Sequence, residues 1–162
     1  MVILGIDPGT ARLGYGIVKV KSKSSLSLIT SDVFITKKEL DIQDRLLYLF
    51  QSLVNLIKDY KPDLMVVERI FFNTNAKTAM SVGQARGVIL LSAASTKTPI
   101  WEYTALEAKL ALTGYGRADK KLVQERVKEI LGLEKIIKSD DADDAVAMAL
   151  CYVSKELLKK KK

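Results

Sequence analysis

Val2-Ile3-Leu4-Gly5-Ile6-Asp7-Pro8-Gly9-Thr10, followed two residues later by Leu13-Gly14-Tyr15-Gly16-Ile17-Val18-Lys19-Val20, is the stretch whose reading decides the fold. An apolar run that breaks at Asp7-Pro8-Gly9-Thr10 is a strand entering a turn. The second run leaves that turn, so residues 2–7 and 13–20 read as a β-hairpin. A Lys/Ser-rich connection at 21–25 leads into a third strand over about 26–36, with Leu26, Leu28, Ile29, Val33 and Ile35 as its apolar content. Three consecutive antiparallel strands are the simplest arrangement.

Downstream the period changes. Leu46, Phe50, Leu53 and Ile57 recur at the spacing of a helix over 43–59 that buries one stripe, and Lys61-Pro62 stops it. Residues 63–68 form a short β-branched strand of the kind buried on both faces. A second helix is expected from about Asn75, its candidate cap, to Ser95, and Pro99 to Tyr103 makes a fifth strand. Helical segments follow at about 104–112, 119–131 and 140–158. Gly114 and Gly116 separate the first two, and Gly132 lies just past the end of the next. The order predicts an α/β fold: a mixed five-stranded sheet, three antiparallel strands then two parallel, flanked by helices. Residues 1–158 read as a single domain, and Lys159 to Lys162 as a basic, disordered tail.

Composition narrows the chemistry. With 162 residues, 48% hydrophobic and 28% charged, the chain can bury a core without disulfides, and no apolar run approaches the ~20 residues a membrane span needs. No membrane partner is expected. The opening Met1-Val2-Ile3-Leu4 lacks the basic region of a secretory signal, so a cytoplasmic protein is expected. The lone Cys151 reads as a small buried hydrophobe. There is no histidine, which removes imidazole zinc sites, Ser-His and Cys-His nucleophiles and a histidine base. Any hydrolysis must use carboxylates. The net charge of +7, four of it on Lys159 to Lys162, permits a nucleic-acid partner without requiring one.

Acids occur at three suggestive places. Asp7 sits where a strand runs into a turn, and it serves either that turn or a ligand site. Glu68 ends a strand that reads as central, where a carboxylate must be solvated, paired or metal-bound. Ser139-Asp140-Asp141-Ala142-Asp143-Asp144 opens the last helix, where acids also serve as caps and dipole partners. Helical spacing leaves the register open: Asp141 continues Ala145, Met148 and Tyr152, and Asp143 continues Val146, Leu150 and Val153. Three acidic positions in a basic chain without histidine suit a hard divalent cation such as Mg²⁺ near phosphate.

Taken together, Asp7-Pro8-Gly9 with Gly14-Tyr15-Gly16, Glu68 with Phe71, Asn75, Gly83-Gln84-Ala85-Arg86-Gly87, and Asp141-Ala142-Asp143-Asp144-Ala145 strongly resemble the RuvC-type Holliday junction resolvases, in order from residue 1 to about 152. The resemblance implies a ribonuclease-H-like homodimer that resolves four-way DNA junctions in recombination and repair, alongside a branch-migration helicase complex. It implies Asp7, Glu68, Asp141 and Asp144 as the metal-binding, catalytic carboxylates, holding two Mg²⁺ ions per site with Mn²⁺ as a substitute. It also implies Lys109 and Lys120 near the DNA and Phe71 against bases at the crossover. Arg86 is assigned to phosphate or to helix packing, and Gly83 with Gly87 to a dimer face or to intrachain packing.

The expected chemistry is in-line hydrolysis leaving a 5′-phosphate and a 3′-hydroxyl. Asp7 would anchor the ions, Glu68 and Asp144 would complete their shells, and Asp141 would ligate or orient the attacking water. The rival readings are a nuclease of the same fold acting on RNA or hybrid duplexes and a non-catalytic junction-binding module. A nucleotide-binding actin-like fragment ranks below both.

Overall fold

The computed structural model describes residues 1–22, 25–69 and 76–158. The elements in order are β1 (Val2–Asp7), β2 (Arg12–Ser22), β3 (Ser25–Ile35), α1 (Ile42–Tyr60), β4 (Leu64–Glu68), α2 (Ala76–Thr96), β5 (Ile100–Tyr103), α3 (Ala105–Thr113), α4 (Lys120–Leu131) and α5 (Asp140–Tyr152), with a π-helical turn at Val153–Leu157. The sheet order is β3-β2-β1-β4-β5. β1 pairs antiparallel with β2 and parallel with β4, β2 pairs antiparallel with β3, and β5 is parallel to β4. This is the mixed sheet the sequence predicts. The connection expected at 21–25 is shorter, because β2 and β3 stay paired out to Ser22 and Ser25.

Alternation along the strands divides the core between the two faces. Leu4 and Ile6 of β1, Leu13 and Ile17 of β2 and Met65 and Val67 of β4 pack with Leu49, Leu53 and Ile89 of α1 and α2. Ile3, Val18, Leu64 and Val66 face the other way and pack with α3, α4 and α5. The stripe α1 buries is Leu49, Leu53, Leu56 and Ile57, whereas the expected Leu46 and Phe50 lie at its edge. Leucines occupy both rows, so the apolar arc is wide and spacing alone does not locate its centre. The helix stops at Lys61 in the left-handed region, whose N–H donates to the Ile57 carbonyl, immediately before Pro62.

Helix α5 lies directly on β1 and β2 because glycines clear its path. A Cβ on Gly5 would overlap the carbonyl oxygen of Ala145, one on Gly14 that of Asp141, and one on Gly16 the side chain of Val146. The helix backbone therefore touches the strand backbones, and its first turn is fixed above the ends of β1 and β2. The helix that was expected to run evenly to 158 widens after Tyr152, where the Leu158 N–H donates to the Val153 carbonyl at 3.0 Å. On this turn Lys155 pairs with Glu107 at 2.7 Å, and the Tyr103 hydroxyl donates to Glu156 at 3.0 Å, tying the turn to β5 and α3. Among the described residues no helix is long and apolar enough to cross a membrane. Asn75, the expected cap, and Lys159 to Lys162, the expected tail, lie outside the described residues.

Two glycine substitutions check this packing with opposite signs. Gly5→Ala should cost about 1–3 kcal/mol in urea unfolding, because the strand and helix backbones must part. Gly87→Ala, where a Cβ meets open space on α2, should stabilise the fold by about 0.5–1 kcal/mol. A Gly5→Ala protein as stable as the parent would contradict the contact described.

Candidate active site

Strand alternation decides which side chains meet. Asp7 follows Ile3 and Gly5 on the α5 face of β1, and Glu68 follows Leu64 and Val66 on the same face of β4. The two strands are parallel and in register through Ile6 and Val67, so Asp7 and Glu68 are the next residues side by side. Their carboxyl groups hydrogen-bond one another. Arg69 turns away and donates to the Glu102 carbonyl of β5 at 3.0 Å.

The first turn of α5 supplies the third acidic position. Asp144 and Asp141 both act electrostatically on Asp7, and Asp144 also acts on Glu68. The register that spacing left open is thereby narrowed by packing: Asp141 and Asp144, and not Asp143, are the α5 acids that act on the pair at the strand ends. Asp143 is fully buried away from them, and neither of its carboxylate oxygens has a hydrogen-bond partner among the described residues. Burial, and then the charge of Asp144, raises the Asp143 pKa to about 7. The side-chain capping expected at this helix start is not what these residues do. Ser139 makes no side-chain cap, and Asp140 engages Gln124 and Lys120 instead.

Electrostatically the site is under tension. Desolvation, followed by Glu68, Asp144 and Asp141, pushes the Asp7 pKa from 3.8 to about 8. Desolvation and Asp144 also raise Glu68, although its hydrogen bond with Asp7 and the nearby Lys109 oppose the shift. Two cations are already bound to the outer acids. Arg12 Nε donates to Asp141 Oδ2 at 2.6 Å, and Lys120 Nζ lies 3.3 Å from Asp144 Oδ2 and 3.2 Å from Asp140 Oδ2. A cavity of about 290 Å³ beside the acids is lined by Glu68, Lys109, Lys120 and Asp144, with Ala105, Ala108, Val123, Ala147 and Met148. A larger, open groove of about 1130 Å³ borders only the Asp141 side.

Of the sequence-predicted residues, Asp7, Glu68, Asp141, Asp144, Lys109 and Lys120 come together at one end of the sheet. Arg86 does not join them, because it is paired with Glu102 of β5, which ties α2 to the sheet edge. Phe71 lies outside the described residues. Sequence reading missed Arg12, although its position two residues before Gly14 on β2 puts it on the α5 face. It also missed Thr10, whose hydroxyl hydrogen-bonds that of Ser81 and whose carbonyl accepts from Thr36 Oγ1 at 2.6 Å, holding the turn after Asp7 to α2 and β3.

The donor set fits a hard divalent cation: it is all carboxylate oxygen, and the burial and like-charge repulsion that raise the Asp7 pKa are what such a charge would offset. As the side chains stand, no group of three acids or cysteines among the described residues is arranged to hold a metal ion. Arg12 and Lys120 draw Asp141 and Asp144 outward, so a closed shell requires these carboxylates to exchange partners.

The family described as "Crossover junction endodeoxyribonuclease RuvC" matches residues 3–152. A crossover junction endodeoxyribonuclease RuvC from Caldicellulosiruptor saccharolyticus is 45% identical over 153 residues, 94% of this chain and 92% of that protein. The fold is similar to the Thermus thermophilus RuvC structure, with a TM-score of 0.90 and 31% identity over 98% of this chain and 96% of that one. It is equally similar to T. thermophilus RuvC in complex with Holliday junction substrate, with a TM-score of 0.89 and 32% identity over 94% and 92% of the two chains.

The raised Asp7 pKa gives a pH prediction with a definite sign. Folded, metal-free protein holds the Asp7 proton up to about pH 8, whereas the unfolded chain releases it near 3.8. The folded state therefore binds the extra proton between those values, and stability falls as pH rises through that window. The melting temperature in chelator should drop from pH 5 to pH 8.5. Asp7→Asn should flatten that slope and stabilise the metal-free protein at pH 8 by about 1–2 kcal/mol, or roughly 2–8 °C. Millimolar Mg²⁺ should raise the melting temperature more at pH 8 than at pH 6. A wild-type slope of the opposite sign would refute the assignment.

Proposed function

The chain belongs to the RuvC family of crossover junction endodeoxyribonucleases, and on that premise we propose that it resolves four-way DNA junctions by paired nicks, with Asp7, Glu68, Asp141 and Asp144 as the carboxylates that hold divalent cations. The observation that carries this reading is the convergence on the Asp7–Glu68 pair of two acids delivered by α5.

Two Mg²⁺ ions, or Mn²⁺ in their place, would stabilise the charge on the attacking and leaving oxygens of phosphodiester hydrolysis. The protein's own groups do the rest. Asp7 would give up its proton to hold a cation, because burial and the neighbouring acids already disfavour an unscreened charge there. Asp144 and Asp141, which now pair with Lys120 and Arg12, would exchange those partners to help hold the cations. Lys109 and Lys120, beside the cavity, hold the strand by its phosphates without reading sequence. Water attacks phosphorus in line, the bond to the 3′ oxygen breaks, and that oxygen takes a proton. The products are a 5′-phosphate and a 3′-hydroxyl that a ligase can join.

A four-way junction presents two opposed strands, so a two-fold pair of protomers would set one site on each. The exposed side of α2, with Met80, Leu91 and the open surface at Gly87, suits that contact. Residues 1–158 form the nuclease domain in this reading, working in the cytoplasm beside a branch-migration helicase complex. Phe71 stacks on bases at the crossover.

Nicking of a synthetic junction in Mg²⁺ tests the site. Asp7→Asn and Glu68→Gln should each lower the rate by about 10² to 10³-fold while junction binding in chelator persists. Wild-type cutting by either variant would sink the carboxylate assignment. Preference for an RNA–DNA hybrid over the junction would move the protein to the other nucleases of this fold.

A further inference from the structure

Among the contacts around the acids, the Arg12–Asp141 pair has a geometry that a structural staple does not need. Arg12 sits on β2 two residues before Gly14, and Gly14 is where the Asp141 carbonyl rests against the strand. The close approach of α5 therefore brings the Arg12 guanidinium to the Asp141 carboxylate, with Nε to Oδ2 at 2.6 Å and Nη2 to Ser139 Oγ at 3.5 Å. The pair is nevertheless solvated: the two side chains are 49% and 29% exposed. A half-exposed ion pair contributes little to stability, so its partners can be exchanged at low cost.

Both residues line the open groove that runs from the acids toward residues 133–139, together with Lys120, Lys135 and Lys138. The groove's own acids include Asp32, Glu134, Asp140 and Asp141. Arg12 is neutralised by Asp141 and Lys120 by Asp140 and Asp144. A phosphate entering this groove thus meets two of its cations already taken, and the cluster around Asp7 has one of its acids held outward by the same contact.

We propose that Arg12 is a positioning residue that exchanges partners: it holds Asp141 on the groove side in the free protein and releases it toward Asp7 when a phosphate of the bound strand takes the guanidinium. This rests on the nuclease reading above. The exchange makes strand binding and completion of the carboxylate cluster favour each other, since each removes the competitor of the other. It also gives Arg12 a role distinct from that of Lys109 and Lys120, because its partner in the free protein is Asp141, which acts on Asp7 and not on Glu68.

The test is junction binding in excess chelator across a salt series, which reads the exchange without any metal or any cleavage. Arg12→Met should weaken binding and flatten the slope of log K against log salt by about 0.9, the loss of one phosphate contact, and Arg12→Lys should restore much of that slope. Asp141→Asn, which frees Arg12, should tighten binding about three- to tenfold. In the Arg12→Met background the same change should gain less than about twofold, the mark of an energetic coupling between the two positions. An unchanged salt slope in Arg12→Met, or an equal gain from Asp141→Asn in both backgrounds, would overturn the proposal. Circular dichroism melts of each variant separate these outcomes from misfolding, and Arg12 and Asp141 are exposed enough for the variants to fold. If the wild type binds a four-way junction no better than a plain duplex, the nuclease reading fails instead.

Discussion

Backbone contact between α5 and the strands beneath it is what brings the third acidic position of the candidate site to the first two. Gly5, Gly14 and Gly16 remove the Cβ atoms that would otherwise hold a helix one side-chain layer above a sheet. The helix sinks onto β1 and β2, its buried residues from Ala142 to Val153 fill one half of the core, and its first turn arrives at the end of β1. Without that approach Asp7 and Glu68 would still lie side by side on parallel strands, since their register depends only on β1 and β4. Asp141 and Asp144 would be too far above them to matter. The acids are thus gathered by packing, and the polypeptide bears the resulting repulsion.

That repulsion is the second organising fact. Four carboxylates at one end of a sheet, two of them desolvated, cannot all be ionised without a cation. The protein meets this in two ways: a proton retained on Asp7 beside Glu68, and the ion pairs of Arg12 and Lys120 with Asp141 and Asp144. Each is replaceable by a divalent ion or by a phosphate. On the proposed reading the site is no rigid ligand cage: its side chains would change partners as charge arrives, while the backbone positions that carry them stay fixed by core packing.

The sheet was legible in the sequence because its strands are apolar, short and punctuated at Asp7-Pro8-Gly9 and Lys61-Pro62, and Asp7 and Glu68 were recognisable as acids at strand ends, though not as neighbours. The α1 stripe was misplaced, since leucines occupy both rows and periodicity gives a direction only to within the width of the apolar arc. The register of the last acidic cluster was not legible from spacing, because α5 is buried nearly all round, so Asp141 and Asp143 each continue an apolar row. Resemblance to known resolvases named Asp141 and Asp144, and the contact at Gly14 gives the physical reason the first turn of α5 lies close to Asp7. Arg86 and Arg12 were beyond reach in a different way: each is explained by a partner more than a dozen residues away in sequence, Glu102 for one and Asp141 for the other.

The central claim is that the fold gathers these carboxylates to bind metal at the Asp7–Glu68 pair. It is tested most directly by a crystal structure of the protein soaked in Mn²⁺, with the ions located by anomalous scattering. The account predicts a peak bonded to Asp7 at about 2.0–2.2 Å, with Glu68 or Asp144 as a further ligand and the Asp7–Glu68 hydrogen bond broken. Saturating Mn²⁺ bound elsewhere, with that hydrogen bond intact, would contradict it.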